Sequence, residues 1–343
     1  MTTEIEAVGR SPQAEPPRAR AAAAHAGPWL VRVLRRDGVA ALVALAVLVV
    51  VGSLLWPSFH SLDNARSILL GNAYLGLVAI GMTFVIVAGG IDLSVGSVFA
   101  LGGVVGVWTN NHAGVFAAVA AAALAGAAVG LVNGALVAYA RLAPFIVTLA
   151  TLFGVRGLVY QLTNAGATTY SVPTNSAFAK IGTGTWLTLG VPVFLAIAAY
   201  AVGHVLLERT SFGLGVQSVG GGESAALLMG LNVRRVKTLT YMLSGVFAAS
   251  AGMLQAAQLV SASPIIATGY ELQAIATVVI GGTLLTGGSG SLLGTGAGVV
   301  LLGVIDSFIV ELQLNSTWNN VISGGFLVLV VVLQRLVMTR VRV

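Results

Sequence analysis

Long apolar stretches, separated by short polar or glycine-rich interruptions, follow one another along most of the chain. A bilayer core of about 30 Å requires about 20 residues of apolar helix. Stretches that approach this length occur near residues 39–56, 70–88, 93–110, 114–139, 145–162, 187–207, 236–260, 271–286, 290–310 and 320–338. The pattern predicts an all-α, polytopic membrane protein with about ten transmembrane helices. Glycines interrupt the apolar pattern near 89–96 and 281–290, where we expect broken or re-entrant segments.

The composition supports a membrane protein and excludes a soluble enzyme. Of 343 residues, 57% are hydrophobic and only 8% are charged, with a mean hydropathy of +0.95, whereas a soluble domain carries roughly 25% charged residues. Cysteine is absent and the four histidines stand singly, which excludes disulfides, cysteine nucleophiles and paired metal ligands. We therefore expect no metal site, no cofactor and no catalytic residue on this chain.

The basic residues indicate the orientation in the membrane. With ten spans and the N-terminus inside, both termini are cytoplasmic and 14 of the 17 Lys and Arg residues lie on the inner side, in agreement with the positive-inside rule. Residues 1–38 have no early apolar stretch and are interpreted as a disordered cytoplasmic tail rather than a cleaved signal. A transmembrane domain over 39–338 and a cytoplasmic end at 339–343 follow. This distribution explains the net charge of +6 without a nucleic-acid partner.

Two of the interrupted segments resemble each other. GGIDLSVGSVFALG (89–102) and GGTLLTGGSGSLLG (281–294) are identical at seven of fourteen positions. Paired, glycine-interrupted segments in two halves of a membrane protein indicate broken helices around a central solute site, and hydroxyl groups in them suit a polar, neutral solute such as a sugar. The span count makes the repeats parallel, and one crossing more or fewer would make them inverted. A purely structural kink is the alternative to a solute path.

Charged residues inside spans are further candidates for the solute path, because a charge at the bilayer centre is costly and is retained for a reason. Asp92 follows a Gly-Gly break and precedes a helix, so it is either a helix cap or a solute contact. Arg156 lies deep in its span and is expected to have a buried partner. Glu271 begins a span, where a helix N-terminus favours an anion. Asp306, near an outer end, is compatible with contact to water.

Small residues predict close packing between helices. Gly126, Gly130 and Gly134 form a GxxxGxxxG stripe, and Gly294 and Gly298 form a second pair. Small residues let helix backbones approach each other in lipid, where burial of apolar side chains gains nothing. Packing is the main interpretation of these glycines, and a position along the solute path is the alternative for a few of them.

One long polar loop, 208–236, is predicted on the inner side between two spans. Residues 223–231 are expected to form a short helix in it, rich in Ala and Leu and ended by Gly230. Such a helix lies on lipid or docks in a groove of a soluble partner, and its alanines favour docking. Neither lysine of the chain, Lys180 or Lys237, follows a phosphate-binding glycine loop. If ATP drives transport, another subunit must hydrolyse it.

Four blocks of the sequence resemble a known family. GMTFVIVAGGIDLSVGSVFALGG (81–103) and GYELQAIATVVIGGTLLTGGSGSLLGT (269–295) strongly resemble segments of permease subunits from ribose/xylose-type sugar ABC importers. The blocks at 143–158 and 209–252 are similar to further family segments, in the same order. The resemblance implies the membrane-spanning subunit of an ATP-driven importer in the bacterial inner membrane, which passes a monosaccharide or a related polar solute.

The resemblance also implies partners and site residues. In the family, the permease pairs with a second permease copy in the lipid bilayer, binds ABC ATPase subunits that hold ATP and Mg, and receives sugar from a periplasmic sugar-binding protein. Contact with the ATPase subunit is expected at Glu223, Ala225, Ala226, Gly230, Leu231 and Val233. Together with the charged positions, the resemblance places the translocation path near Gly89, Gly90, Asp92, Ser94, Gly96, Thr148, Arg156, Glu271, Thr283 and Thr286.

Two departures and two alternatives complete the interpretation. The family usually has Asn where this chain has Gly222, and Arg where it has Leu227, which predicts a dedicated ATPase partner. An ion-coupled secondary transporter of a small polar solute would also show repeats and intramembrane charges. A passive channel is the third class, and it would need neither ATP nor an ion gradient.

Overall fold

A computed structural model describes residues 38–315 and six positions beyond them, 318, 321, 322, 324, 325 and 328. The helices of the described residues are α1 Val39–Leu55, α2 Leu62–Val87, α3 Val95–Ala138, α4 Pro144–Leu162, α5 Ala177–Thr183, α6 Val191–Arg209, α7 Ser211–Gly221, α8 Glu223–Leu228, α9 Val233–Leu259, α10 Tyr270–Ile280 and α11 Leu292–Glu311. The predicted tail apart from Gly38, most of the predicted span 320–338 and the end 339–343 lie outside the described residues.

The structure confirms a helical membrane protein. Among the described residues, α2, α3, α4, α6, α9 and α11 are long and apolar enough to cross a bilayer, and α1 and α10 contain shorter apolar helices. Helix α3 has 44 residues, and Gly114 interrupts its helical backbone with φ 83° and ψ 177°. Its two parts coincide with the predicted spans 93–110 and 114–139. The total of about ten crossings and the cytoplasmic position of both termini stay predictions.

Two helix boundaries differ from the predicted spans. Helix α2 begins at Leu62 rather than near residue 70, because the hydroxyl of Ser61 accepts a hydrogen bond from the backbone N–H of Asn64 and caps a polar first turn. Helix α10 ends at Ile280 rather than near residue 286, because Gly282 takes a left-handed conformation with φ 93°. Apolar composition alone does not mark either boundary.

Four two-residue strands lie at one end of the helix bundle. β1 (Tyr170–Ser171) pairs antiparallel with β4 (Ser261–Ala262), and β2 (Thr185–Trp186) pairs antiparallel with β3 (Leu189–Gly190) in a tight hairpin. We call this end, which β4 joins directly after α9, the hairpin face. The opposite end, where α7, α8 and the start of α9 lie, is called the coupling-loop face. Helix α9, with 27 residues, runs from the second face to the first.

The glycine stripe packs α3 directly against α9, as the sequence predicts. A Cβ atom added at Gly130 would fall on the carbonyl oxygen of Tyr241 and 2.7 Å from the Cα of Met242. A Cβ atom at Gly134 would lie 2.6 Å from the Cα of Thr238. The backbones of the two helices are therefore in contact, which is possible in lipid only with small residues on one side.

The two interrupted units run in the same direction. Helices α2 and α10 each precede a break, and both lie antiparallel to α11, which follows the second break. The neighbouring pairs that show this are Asn72 with Gly303, Thr83 with Thr295, Thr277 with Gly298, and Gly281 with Gly294. The hydroxyl oxygens of Thr83 and Thr295 are 2.9 Å apart and buried. The parallel arrangement is the one that the span count predicts.

The α3–α9 contact can be tested with single alanine substitutions. We expect Gly130→Ala to lower the free energy of unfolding by about 1–3 kcal/mol, because its Cβ has no room between the two backbones. Gly71→Ala in α2 is the control, since a Cβ there meets no atom within 4 Å, and alanine is the better helix former. Thermal unfolding in detergent measures the difference. Equal midpoints for the two variants would contradict the packing described here.

Candidate solute path and coupling site

The first break lies well inside the helix bundle. Gly89, with φ 79°, ends α2: its N–H donates to Ile86 O at 2.9 Å, and the N–H of Gly90 donates to Val85 O at 2.9 Å. These are the two hydrogen bonds of a glycine-terminated helix end. Residues 88–94 then connect α2 to α3. They contact Ser244, the twelfth residue of α9, which lies about 16 Å from the start of that helix.

Asp92 is the centre of a buried hydrogen-bond network in this break. Its side chain is only 1% exposed. One carboxylate oxygen accepts from the N–H of Ser94 at 3.0 Å and from its hydroxyl at 2.6 Å, and the other accepts from the hydroxyl of Ser244 at 2.8 Å. Asp92 lies two residues before Ser94, the N-cap residue of α3, and accepts from the N–H of Ser94 itself, so it orients the start of the helix without capping its first turn. A contact between Asp92 and solute stays a prediction.

The network continues into α3 and α4. The side-chain amide of Asn133 donates to the Ser94 hydroxyl at 2.9 Å, and its oxygen accepts from the hydroxyl of Thr151 at 2.6 Å. The free carbonyl of Ile91 accepts from the hydroxyls of Thr148, at 3.3 Å, and Tyr241, at 3.4 Å. Backbone that leaves a helix at membrane depth needs such partners. Three helices therefore supply polar groups to the break.

Sequence reasoning missed four of these partners: Asn133, Thr151, Tyr241 and Ser244. Each is a polar residue within an apolar span, which is a usable signal for Asn133 in particular. The spacing of Tyr241 and Ser244, three residues apart, also places them on one face of α9. Asn133, Tyr241 and Ser244 are separated by 39, 150 and 152 residues from the groups that they contact in the break, and no local pattern reveals these contacts.

The second break is longer and less completely bonded. Residues 281–291 connect α10 to α11, and Gly282, Gly287 and Gly288 all have positive φ. Gly282 ends α10 in the way Gly89 ends α2, since its N–H donates to Val279 O and the next N–H donates to Val278 O. Of the two predicted path residues here, Thr283 is buried and its hydroxyl has no hydrogen-bond partner in the described part of the chain, whereas Thr286 is exposed.

A second polar region lies where the segment before α10 meets α3 and α4. The guanidinium of Arg156 donates to the carbonyls of Pro264, at 2.6 Å, and Ile266, at 3.0 Å. The sequence predicts a buried partner for Arg156, and the structure gives it two partly buried backbone carbonyls. One carboxylate oxygen of Glu271 is buried without a hydrogen-bond partner among the described residues, and it lies where a Cβ at Gly96 would be. Gly96, Arg156 and Glu271 thus border one region.

The coupling loop folds as α7 and α8 and returns to the bundle at α9. Gly230, with φ 80°, ends α8: its N–H donates to Leu227 O at 3.0 Å, and the N–H of Leu231 donates to Ala226 O at 3.1 Å. The sequence places the end of the helix at this glycine. Ala226 is fully buried and packs with Val219 of α7 and Val233 of α9. Two of the predicted ATPase contacts, Ala226 and Val233, therefore face their own chain in this conformation.

Large apolar side chains on α8 and its end face away from the protein. Leu227, Leu228 and Met229 are 57%, 90% and 66% exposed. At the other end of the helix, Glu223 Oε2 is 2.6 Å from Lys237 Nζ, so that an ion pair ties α8 to α9. Leu228 and Met229 are absent from the predicted contacts, although three consecutive apolar residues in a polar loop are a readable signal. The arrangement presents a short apolar surface on a fixed support.

Eight of the ten predicted path residues form two groups, and the other two, Thr283 and Thr286, lie apart from them in the second break. Gly89, Gly90, Asp92, Ser94 and Thr148 surround the first break, with all but Gly89 buried. Arg156 of α4 and Glu271 of α10 lie with Gly96, the second residue of α3, further towards the hairpin face. Whether solute passes these groups remains a prediction.

Comparisons with known proteins agree on a transport family. The family described as "Branched-chain amino acid transport system / permease component" matches residues 64–331. The ribose import permease protein RbsC of Escherichia coli K12 is 37% identical over 299 residues, covering 85% of this chain and 92% of that protein. RbsC of Bacillus subtilis 168 is 39% identical over 295 residues, covering 85% and 91%. The L-arabinose ABC transporter permease protein AraH of Azospirillum brasilense is 36% identical over 316 residues, covering 92% and 91%. No solved structure matches.

The Asp92 network can be tested by removing one donor. We expect Ser244→Ala to lower the free energy of unfolding by about 1–3 kcal/mol, because a buried carboxylate oxygen loses its only hydrogen bond from α9. Ser250→Ala, at a half-buried serine on the same helix, is the control. Thermal unfolding in detergent compares the two. A Ser244→Ala midpoint equal to that of the control would show that the network does not stabilise the break.

Proposed function

The chain belongs to the branched-chain amino acid transport system permease family, and from this premise we propose that it is the membrane-spanning subunit of an ATP-driven importer of a monosaccharide or related polar solute. The relatives it matches over most of their length are, by name, permeases for ribose and L-arabinose. In the proposed assembly, a periplasmic binding protein delivers the solute, ABC ATPase subunits supply the energy, and the permease forms the path through the bacterial inner membrane.

The exposed apolar surface of α8 is the main observation that supports an ATPase partner. Leu227, Leu228 and Met229 project from the coupling-loop face, and the exposed basic residues Arg234 and Arg235 follow shortly after them. Basic residues of this kind mark the cytoplasmic side of membrane proteins, where a soluble ATPase is found. A compact apolar tip on a short, tethered helix suits insertion into a groove of a protein.

A polar, sugar-like solute is supported by side-chain oxygens inside the membrane-spanning part that lack hydrogen-bond partners. Within the described part of the chain, a Glu271 oxygen, the side-chain oxygen of Gln255 and the hydroxyl of Thr283 are buried and unpartnered. Burying a polar atom without a partner costs free energy. Hydroxyl groups of a passing sugar would donate to these oxygens. One nitrogen of Arg156, in contrast, donates to two backbone carbonyls, and this contact holds the segment before α10 in place.

A second permease copy is supported by the free face of α4. Ile146, Phe153 and Leu158 are exposed there, together with Gly154 and Gly157, which meet no other residue within 4 Å of an added Cβ. A helix face with small residues beside large apolar ones favours association with another helix in lipid. We place the second copy against this face, so that the path lies between the two subunits.

Reconstitution distinguishes the importer from its alternatives. The permease would be placed in liposomes with its ATPase subunits inside and the binding protein outside, and uptake of labelled ribose, L-arabinose and fructose would be measured. We expect uptake only with both ATP and the binding protein. Accumulation by the permease alone under a proton or sodium gradient would identify a secondary transporter, and equilibration without either would identify a channel.

The docking surface of α8 can be tested with a single substitution. We expect Leu228→Ala to weaken binding of the ATPase subunit roughly 10- to 100-fold, because it removes a leucine that the interface would bury. Leu187→Ala is the matched control, since Leu187 is 72% exposed at the turn of the hairpin on the opposite face. Co-purification at graded ATPase concentrations measures both. An unchanged affinity for Leu228→Ala would remove α8 from the interface.

A further inference from the structure

Three separate backbone segments meet at a cluster of glycines beneath the coupling loop. Gly89 ends α2 at the first break, Gly287 and Gly288 lie in the second break, and Gly220 lies at the end of α7. We call these four residues the glycine junction. The two breaks belong to the segments that resemble each other in sequence, and α7 is the helix that leads into α8.

The contacts in the glycine junction are made by backbone alone. The N–H of Gly288 donates to the carbonyl of Val87, the last residue of α2, at 2.8 Å. A Cβ at Gly220 would fall on that same carbonyl oxygen and 2.6 Å from the Gly288 nitrogen. A Cβ at Gly287 would lie 2.9 Å from the Cα of Gly89. The backbone at the end of α7 therefore packs directly against both breaks.

The same helix end carries the proposed ATPase contact. Only Gly222 separates α7 from α8, and the buried contact of Val219 with Ala226 fixes the two helices to each other. A displacement of α8 therefore moves the end of α7. Because flexible side chains are absent from the contact with the breaks, no rotamer change can absorb the displacement before it reaches them.

We propose that Gly220 and Gly288 are positioning residues that transmit movement of the coupling helix to both broken segments at once, and that the glycine junction stays closed through the transport cycle. The proposal rests on the proposed function and adds to it the route by which ATPase movement reaches the path. It assigns a reason for glycine at position 220, where the helical backbone itself would accept other residues. Alanine there would separate α7 from the breaks.

Neighbouring glycines give a matched pair of variants. A Cβ at Gly220 overlaps backbone, whereas a Cβ at Gly221 has its nearest neighbour, the Cα of Gly288, at 3.9 Å. In the reconstituted complex, we expect Gly220→Ala to lower the number of solute molecules imported per ATP hydrolysed by tenfold or more, with ATPase subunits still bound. Gly221→Ala should remain within twofold of the unchanged protein. Equal ratios for the two variants, with ATPase bound in both, would overturn the proposal.

A second measurement uses the unchanged complex, so that it tests whether the glycine junction stays closed even if Gly220→Ala fails to assemble. Hydrogen–deuterium exchange of the peptide that contains Gly288 would be compared with and without bound ATP. A junction that stays closed keeps the Gly288 N–H protected in both states. If the Gly288 N–H exchanged tenfold faster in one of these states than in the other, the junction would open during the cycle, and the proposal would be overturned. Absence of ATP-driven uptake by the unchanged complex would instead refute the proposed function itself.

Discussion

The structure depends on one constraint: backbone that leaves a helix at membrane depth must find all its hydrogen-bond partners within the protein. Several backbone groups at the first break meet this constraint through bonds to other segments. Asp92 accepts the N–H of Ser94, hydroxyls of α4 and α9 bind the carbonyl of Ile91, and the carbonyl of Val87 accepts the N–H of Gly288. Apart from the Asp92–Ser94 bond, which is local, these partners come from distant parts of the chain. The polar residues of α3, α4 and α9 are therefore placed by the needs of a few backbone groups, and the surrounding helices take their positions with them.

Close approach of backbones is what brings these partners within reach. The glycine stripe of α3 lets α9 come near enough for Ser244 and Tyr241 to reach the first break. Gly96 leaves the space that the Glu271 carboxylate occupies. Glycine has the opposite function at the helix ends: Gly89, Gly230 and Gly282 take left-handed conformations that stop a helix. The glycine content of the chain thus serves both to pack helices and to end them.

The elements that rest on local chemistry could be predicted from the sequence, and those that rest on distant partners could not. The positions of both breaks, the packing role of Gly126, Gly130 and Gly134, and the helix end at Gly230 follow from residues close together in the chain. The first partner of Asp92 is two residues away, but Ser244 is 152 residues away. The apolar pattern extended the span before the second break too far, because valine and isoleucine continue up to a glycine whose φ decides the boundary. Ala226 and Val233 were expected at the ATPase, and their burial against α7 becomes visible only when three helices are assembled.

The two breaks share a beginning but differ in how fully they are satisfied. Each starts with a left-handed glycine and the same pair of hydrogen bonds, although the structural match is Gly89 with Gly282 and not, as the sequence alignment has it, with Gly281. Seven residues then suffice for the first break, whose buried polar side chains are all bonded, whereas eleven form the second, where the hydroxyl of Thr283 has no partner among the described residues. A segment whose buried polar groups are all hydrogen-bonded resists rearrangement, since any movement breaks buried hydrogen bonds. A segment with fewer such bonds breaks fewer of them when it moves. Two similar sequences have thus produced a rigid connection on one side of the glycine junction and a more adaptable one on the other.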